Sequence, residues 1–147
     1  AIGLKLTCLS NVPMISKKCK YAIKALTYIA RHQEDKPIFS TEIAREEKIP
    51  HKFLESILRT LKNNRILLSK RGKNGGYKLL MQPEDIVLTD LIRIMDGPIA
   101  LSPCVSLNYY EPCEECDMET CTIRPVLEQI RDLTLDVFNH TTIKTME

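Results

Sequence analysis

Tryptophan is absent from the chain, and the other aromatics amount to 3 Phe and 5 Tyr among 147 residues. The core must therefore be built mainly from aliphatic side chains. Glycine is scarce too, with 5. Neither GxGxxG nor a GxxxxGK run followed by Ser or Thr occurs, which disfavours the common nucleotide-dependent enzymes. No apolar run approaches the roughly 18 residues a membrane-spanning helix needs, so no membrane partner is expected. The 3 histidines, His32, His51 and His140, are scattered, and no pattern pairs a nucleophile with a base. Neither an enzyme nor a small-molecule substrate is expected.

What is present suits one folded domain: 27% charged residues, 44% hydrophobic and a net charge of +2. That small net charge conceals a polarity. Residues 14–82 hold 16 Lys+Arg against 6 Asp+Glu, a net of +10, whereas residues 83–147 hold 4 against 13, a net of −9. Such asymmetry points the first half toward a polyanion, although two solvated faces of one domain would give the same totals. The opening AIGLKLTCLSNVP, residues 1–13, is interrupted by Lys5 and lacks the cleavage site of a secretory signal. It reads as a leader or remnant, with the organised protein beginning at Met14. Without an export signal the expected compartment is the cytoplasm, where thiols stay reduced.

Apolar spacings of three and four predict a helix from Ser16 to Gln33, with Ala22, Ile23, Ala25, Leu26, Ile29 and Ala30 inward. Ser40 or Thr41 is placed to cap a second helix ending near Lys48. Ile49-Pro50 breaks the chain. A third helix is expected from about His51 to Asn63, with Phe53, Leu54, Ile57, Leu58 and Leu61 inward and Asn63-Asn64 as a left-handed stop. Two short strands, 66–70 and 77–81, flank Arg71-Gly72-Lys73-Asn74-Gly75-Gly76, whose glycines suit a hairpin tip. Pro83 and Thr89 open further helical turns that Gly97-Pro98 ends. After a loop rich in Cys and acid, 98–121, a last helix is expected from about Thr122 to Asn139, with an apolar stripe of Ile123, Val126, Leu127, Ile130, Leu133 and Val137 that Thr134 interrupts. The tail HTTIKTME is expected to be frayed. Helix, helix, break, helix, hairpin is the order of a winged helix-turn-helix. The expected fold is mainly α with a small β-hairpin wing and a long C-terminal helix. The expected organisation is a winged helix-turn-helix DNA-binding domain at 14–97, a Cys-rich loop at 98–121 and the last helix with its tail at 122–147.

Four stretches carry a family resemblance: MISKKCKYAIKALTYIA, FSTEIAREEKIPHKFLESILRTLK, SKRGKNGGYKL and IVLTDLIRIMDG. Together they resemble the Rrf-type winged-helix regulators, the family of IscR, NsrR and CymR. RGxxGGY in the wing, with DG closing the following helix, is the specific part. The resemblance covers Met14 to about Asn139. It implies a homodimer, joined through the long C-terminal helix as a dimerisation helix at 122–147, that binds a palindromic double-stranded DNA operator, with 98–121 as a sensor loop. It also implies, in many members, an iron–sulfur cluster on cysteines of the loop before that helix.

Geometry places Pro50, His51 and Lys52 at the start of the recognition helix, with Arg59 two turns on. Lys70, Arg71 and Lys73 are the wing cations and Asn74 a neutral donor; the resemblance points to the same wing arginine, Arg71. His51 alone serves equally well to satisfy a backbone group. Thr41 is a candidate phosphate contact, with capping the more ordinary role. The rival reading is a solvated basic surface.

Six cysteines occur, and Cys104, Cys113, Cys116 and Cys121 fall within 18 residues as C-x8-C-x2-C-x4-C. Clustering in a reducing compartment favours metal over disulfide, and soft thiolates suit zinc or iron–sulfur. Four thiolates beside Glu111, Glu114, Glu115, Asp117 and Glu119 would repel one another without a cation. Spacing alone does not choose between the metals. The resemblance favours a 2Fe–2S or 4Fe–4S cluster, although cluster-bearing relatives usually show three loop cysteines with a fourth ligand that varies. Cys19 reads as a half-buried core thiol, and Cys8 has no assigned role. The expected function is a repressor that senses iron–sulfur, redox or nitric-oxide status. Two alternatives stand beside it: a zinc-bound or thiol-switched regulator without iron, and a winged-helix protein-interaction module.

Overall fold

The computed structural model describes residues 15–32, 36–113 and 117–147. The leader with Cys8, and Cys116 in the loop, lie outside them. The first helix, α1 (Lys17–His32), buries Cys19, Ala22, Ala25, Leu26 and Ile29, the one-sided spacing of an amphipathic helix. Its start is tied down twice. The Ser16 hydroxyl oxygen accepts from the Cys19 N–H at 3.1 Å, an N-cap. The same hydroxyl and the Ser16 N–H donate to the Asp96 carboxylate. Asp96 ends α4 (Leu88–Asp96), and Gly97 follows at φ 92. The DG pair thus stops one helix and anchors another.

Helices α2 (Ser40–Glu46) and α3 (His51–Asn63) form the helix-turn-helix. Neither expected cap forms on α2: its N-cap is Phe39, without a side-chain hydrogen bond, because the Ser40 hydroxyl is 3.0 Å from His51 Nε2 instead. Both helices end alike. Lys48 and Ile49 donate to Arg45 and Ala44 carbonyls, while Arg65 and Ile66 donate to Lys62 and Leu61 carbonyls. These are Schellman closures, with Lys48 at φ 54 and Arg65 at φ 58. The left-handed residue is therefore Arg65, not Asn63 or Asn64. Helix α3 buries Leu54, Ile57, Leu58 and Leu61, each worth about 1.5–3 kcal/mol on full burial. Phe53, expected inward, is 39% exposed and meets Tyr21 of α1 edge-on at 5.7 Å.

Strands β1 (Leu67–Lys70) and β2 (Gly76–Leu79) pair antiparallel, Lys70 opposite Gly76. Ile38 adds a bridge on the other side of β2, with Ile38 N–H to Tyr77 O at 2.9 Å and Tyr77 N–H to Ile38 O at 2.8 Å. This bridge explains the paired glycines. A Cβ on Gly76 would sit 2.6 Å from the Ile38 carbonyl oxygen, and one on Gly75 would sit 2.4 Å from that of Lys70. Gly76 admits the neighbouring segment; Gly75 closes the hairpin.

Past α4, a 3-10 turn at Pro103–Val105 leads through the loop to α5 (Arg124–Asn139). Thr89 does not open α4. Val87 is the N-cap, and the buried Thr89 hydroxyl bonds Asn139 Oδ1 at 2.6 Å. The tail is not frayed either. Ile143 is fully buried, its N–H bonds Ile86 O at 3.0 Å, and Leu88 N–H bonds Thr141 O at 2.8 Å. An apolar side chain that fills a core slot outweighs the tail's lack of pattern. The apolar residues of α5 divide between two faces. Leu135 is buried, whereas Ile123, Val126, Ile130, Leu133 and Val137 are 37–62% exposed. No helix among the described residues is long and apolar enough to cross a membrane.

Candidate nucleic-acid interface and cysteine loop

Between α3 and the hairpin lies an open cleft of about 380 Å³. Arg59 and Lys62 line it from α3, Lys70 and Arg71 from the wing, with Phe39, Ser40 and Tyr77 between the two walls. Amphipathic α3 sends Leu54, Ile57, Leu58 and Leu61 into the core, so Arg59 and Lys62 must face outward. Among the described residues, none of Lys52, Arg59, Lys62, Lys70, Arg71 and Lys73 is held in an ion pair. Unpaired cations on both walls are suited to a polyanion.

The expected contact residues divide as follows. Pro50 is the exposed N-cap of α3, and Lys52 is exposed in its first turn. Arg59, Lys70, Arg71, Lys73 and Asn74 are all exposed on the cleft and hairpin side. His51 bonds the Ser40 hydroxyl rather than a backbone group and lies 3.8 Å from Glu55 Oε1. Thr41 is exposed in the first turn of α2 and caps nothing. The sequence reading missed Lys62, Glu55 and Phe39 as cleft residues. The α3 period could have found the first two, since positions 55, 59 and 62 share the face opposite the buried stripe.

A second cleft, of about 340 Å³, lies on the other side of the wing, lined by Lys36, Pro37, Phe39, Lys70, Lys73, Asn74 and Gly75.

In the loop, Cys104 is buried in the Pro103–Val105 turn. Its sulfur lies 3.3 Å from the Ser102 hydroxyl. Hydrogen bonds from Ser102 and then from Cys113, with the charge of Arg124 adding less, hold the Cys104 thiol below its ordinary range. The Glu111 N–H to Pro103 O bond, at 3.3 Å, folds the chain back so that Cys113 can reach Cys104. Cys121 is half-buried. Among the described residues, no three His, Cys, Asp or Glu side chains gather as a metal-holding group. The structure therefore brings Cys104 and Cys113 together, does not add Cys121 to that pair, and does not describe Cys116. The expected free core thiol, Cys19, is fully rather than half buried, and burial pushes it up to about 12.

The family model described as Rrf2, iron-dependent transcriptional regulator, matches residues 15–146. The rrf2-like HTH-type transcriptional regulator of Rhodobacter capsulatus is 41% identical over 121 residues, covering 80% of this chain and 81% of its own. CymR of Bacillus subtilis is 30% identical over 132 residues, covering 90% and 88%. The solved structure of B. subtilis CymR, described as the global cysteine regulator, superposes with a TM-score of 0.74 at 27% identity, over 90% of this chain and 94% of that one. The structure of IscR from T. potens superposes at 0.72 with 23% identity, over 90% and 84%, which bears on the fold.

Proposed function

The chain belongs to the Rrf2 family of transcriptional regulators, and from that premise we propose that it is a homodimeric repressor of a palindromic operator, governed by its cysteine loop. It is a winged-helix DNA-binding regulator and not an enzyme. The observation that carries the reading is the cleft whose two walls, α3 and the wing, both carry unpaired cations. The start of α3, with Pro50, His51 and Lys52, enters the major groove, and Arg59 follows along the helix. Lys70, Arg71, Lys73 and Asn74 meet the adjacent backbone and minor groove. Thr41 lies where a phosphate passes. The exposed α5 stripe, at spacings of three and four, is the seam between two copies.

The sensing half of the proposal rests on the loop. The adjacent soft thiols Cys104 and Cys113 fit an iron–sulfur cluster as part of its ligand set, with Cys121 and Cys116 as the further candidates. A bound cluster supplies a centre that reacts with oxidants and nitric oxide. The same donors fit zinc. The hydrogen bond between Cys104 and Cys113 favours a second reading, a thiol switch. In that reading a peroxide oxidant takes two electrons and two protons from the pair, leaving one disulfide and reduced oxidant. Anaerobic purification with a visible spectrum and iron, sulfide and zinc analysis separates these. Coloured protein with stoichiometric iron and sulfide supports the cluster, colourless protein with zinc supports the zinc site, and metal-free protein leaves the thiol switch. Operator affinity of loaded against unloaded protein, or reduced against oxidised protein, at equal salt tests sensing itself; identical values end that part. For the DNA reading, Arg71→Ala is expected to weaken duplex binding and lower its salt dependence. Unchanged affinity and slope remove the wing from the interface.

A further inference from the structure

Phe39 is an exposed aromatic in a place that folding alone does not call for. It is 46% exposed, yet its backbone is fixed on both sides. Its carbonyl accepts from the Glu42 and Ile43 N–H groups at 3.1 and 3.2 Å, and Ile38 before it is bonded twice to Tyr77. The close approach of Ile38 to Gly76 locks this segment against the wing. Phe39 also lines both basic clefts, the one toward Arg59, Lys62 and Arg71 and the one toward Lys36, Lys73 and Asn74. The ring therefore stands at the boundary of two cationic surfaces, on a backbone held in place.

Duplex geometry says what passes there. When a helix lies in the major groove and a hairpin beside it reaches the minor groove, the phosphodiester strand between the grooves crosses the boundary. Cations on either side take phosphates. The other surface that strand offers is the C–H-rich face of its deoxyribose, which an aromatic ring matches and a cation does not. We propose that residues 36–39 are a third DNA-contact element beside α3 and the wing, with Phe39 packing on deoxyribose and Lys36 taking a phosphate. This rests on the DNA reading above and deepens it. Sugar contact carries no base information, so Phe39 contributes affinity rather than sequence choice.

The test is fluorescence-anisotropy titration of a mixed-sequence 40-base-pair duplex with the full chain at several salt concentrations. Phe39→Ala is expected to weaken binding about tenfold at every salt, with the slope of log affinity on log salt unchanged, and Phe39→Leu to fall between. Lys36→Gln is expected to lower that slope by about 0.9, the release from one phosphate. Circular dichroism and Tm check folding; should Phe39→Ala fail to fold, Phe39→Leu and Phe39→Tyr are read in its place. Phe39 variants binding within twofold of wild type overturn the proposal, as does a loss that comes with a changed slope. A wild-type chain that binds no duplex at low salt overturns this and the DNA reading together, whereas tight wild-type binding with silent Phe39 variants removes this proposal alone.

Discussion

Two cations occupy backbone positions where glycine is the usual choice. Lys48 and Arg65 close α2 and α3 at φ 54 and 58, and a side chain in the left-handed region costs about 1–2 kcal/mol. Glycine would remove that cost at about 0.4–1 kcal/mol of unfolded-state entropy. Lys48→Gly is therefore expected to raise stability by about 0.5–1 kcal/mol, or roughly 2–3 °C in Tm for a chain of this size. Lys48 is exposed in the turn that leads into α3, so the same variant should bind duplex more weakly and with a shallower salt slope. A gain in Tm with unaltered binding would leave its charge without a role at the interface. Cys19 gives a pH prediction. Burial raises its thiol from 9.0 to about 12, so below pH 9 both folded and unfolded chains keep the proton and nothing is lost. Between 9 and 12 the unfolded thiol ionises first, and stability declines by about 1.4 kcal/mol per pH unit. Urea midpoints at pH 8 and 10.5 are expected to differ less in Cys19→Ala than in the wild type; equal differences would place the alkaline sensitivity elsewhere.

At the scale of elements, α5 separates what pattern tells from what only packing tells. Its sequence shows an apolar stripe, and spacing alone does not say whether a stripe faces the core or a second chain. In the structure Leu135 is buried, whereas Leu133 and Val137 are 62% and 61% exposed, so much of the stripe is available to a second copy. Leu133→Lys is accordingly expected to leave the protomer's helix content intact and to shift light-scattering mass from dimer to monomer. A dimer that persists with Lys at 133 would place the seam on another face. The same distinction governs how much else was legible. Helices α1 and α3 and the hairpin were readable because periodicity, a break at Ile49-Pro50 and wing glycines agree locally. The tail, Phe53 and the end of α3 were not, because each is decided by a distant partner or by backbone geometry. Ile143 finds a core slot, Phe53 finds Tyr21, and Arg65 takes the left-handed position expected at Asn63-Asn64. The cationic cleft was legible as charge and motif; Phe39 was not, since only the bridge between Ile38 and Tyr77 brings it beside the wing.

For the whole molecule, α5 is the element tied to both halves. Midway along it Arg131, its side chain 12% exposed, donates from Nη1 to the Val105 carbonyl at 2.7 Å, in the same turn as Cys104. At its C-terminal end Asn139 accepts from Thr89 of α4, and the tail bonds the backbone at Ile86 and Leu88. Under the proposed homodimer and cysteine switch, a change of state at Cys104 that moves its turn would pull on α5 through Arg131, and movement of α5 would alter how the two helix-turn-helix units are spaced on half-sites about one DNA turn apart. Coupling of this kind is worth typically 1–3 kcal/mol, a ratio of roughly 5–150 between the affinities of two states. Wild-type protein is expected to show a ratio of at least about 5 for operator binding between its reduced and oxidised, or loaded and unloaded, forms. Arg131→Met keeps much of the buried stem and removes the donor. It is expected to bring that ratio below about 2 while reduced-state affinity and the alkylation rate of Cys104 stay near wild type. That pattern separates coupling from folding, since a destabilised protomer would lose affinity in both states. A wild-type ratio preserved in Arg131→Met would mean that the cysteine turn reaches DNA by a route other than this bond.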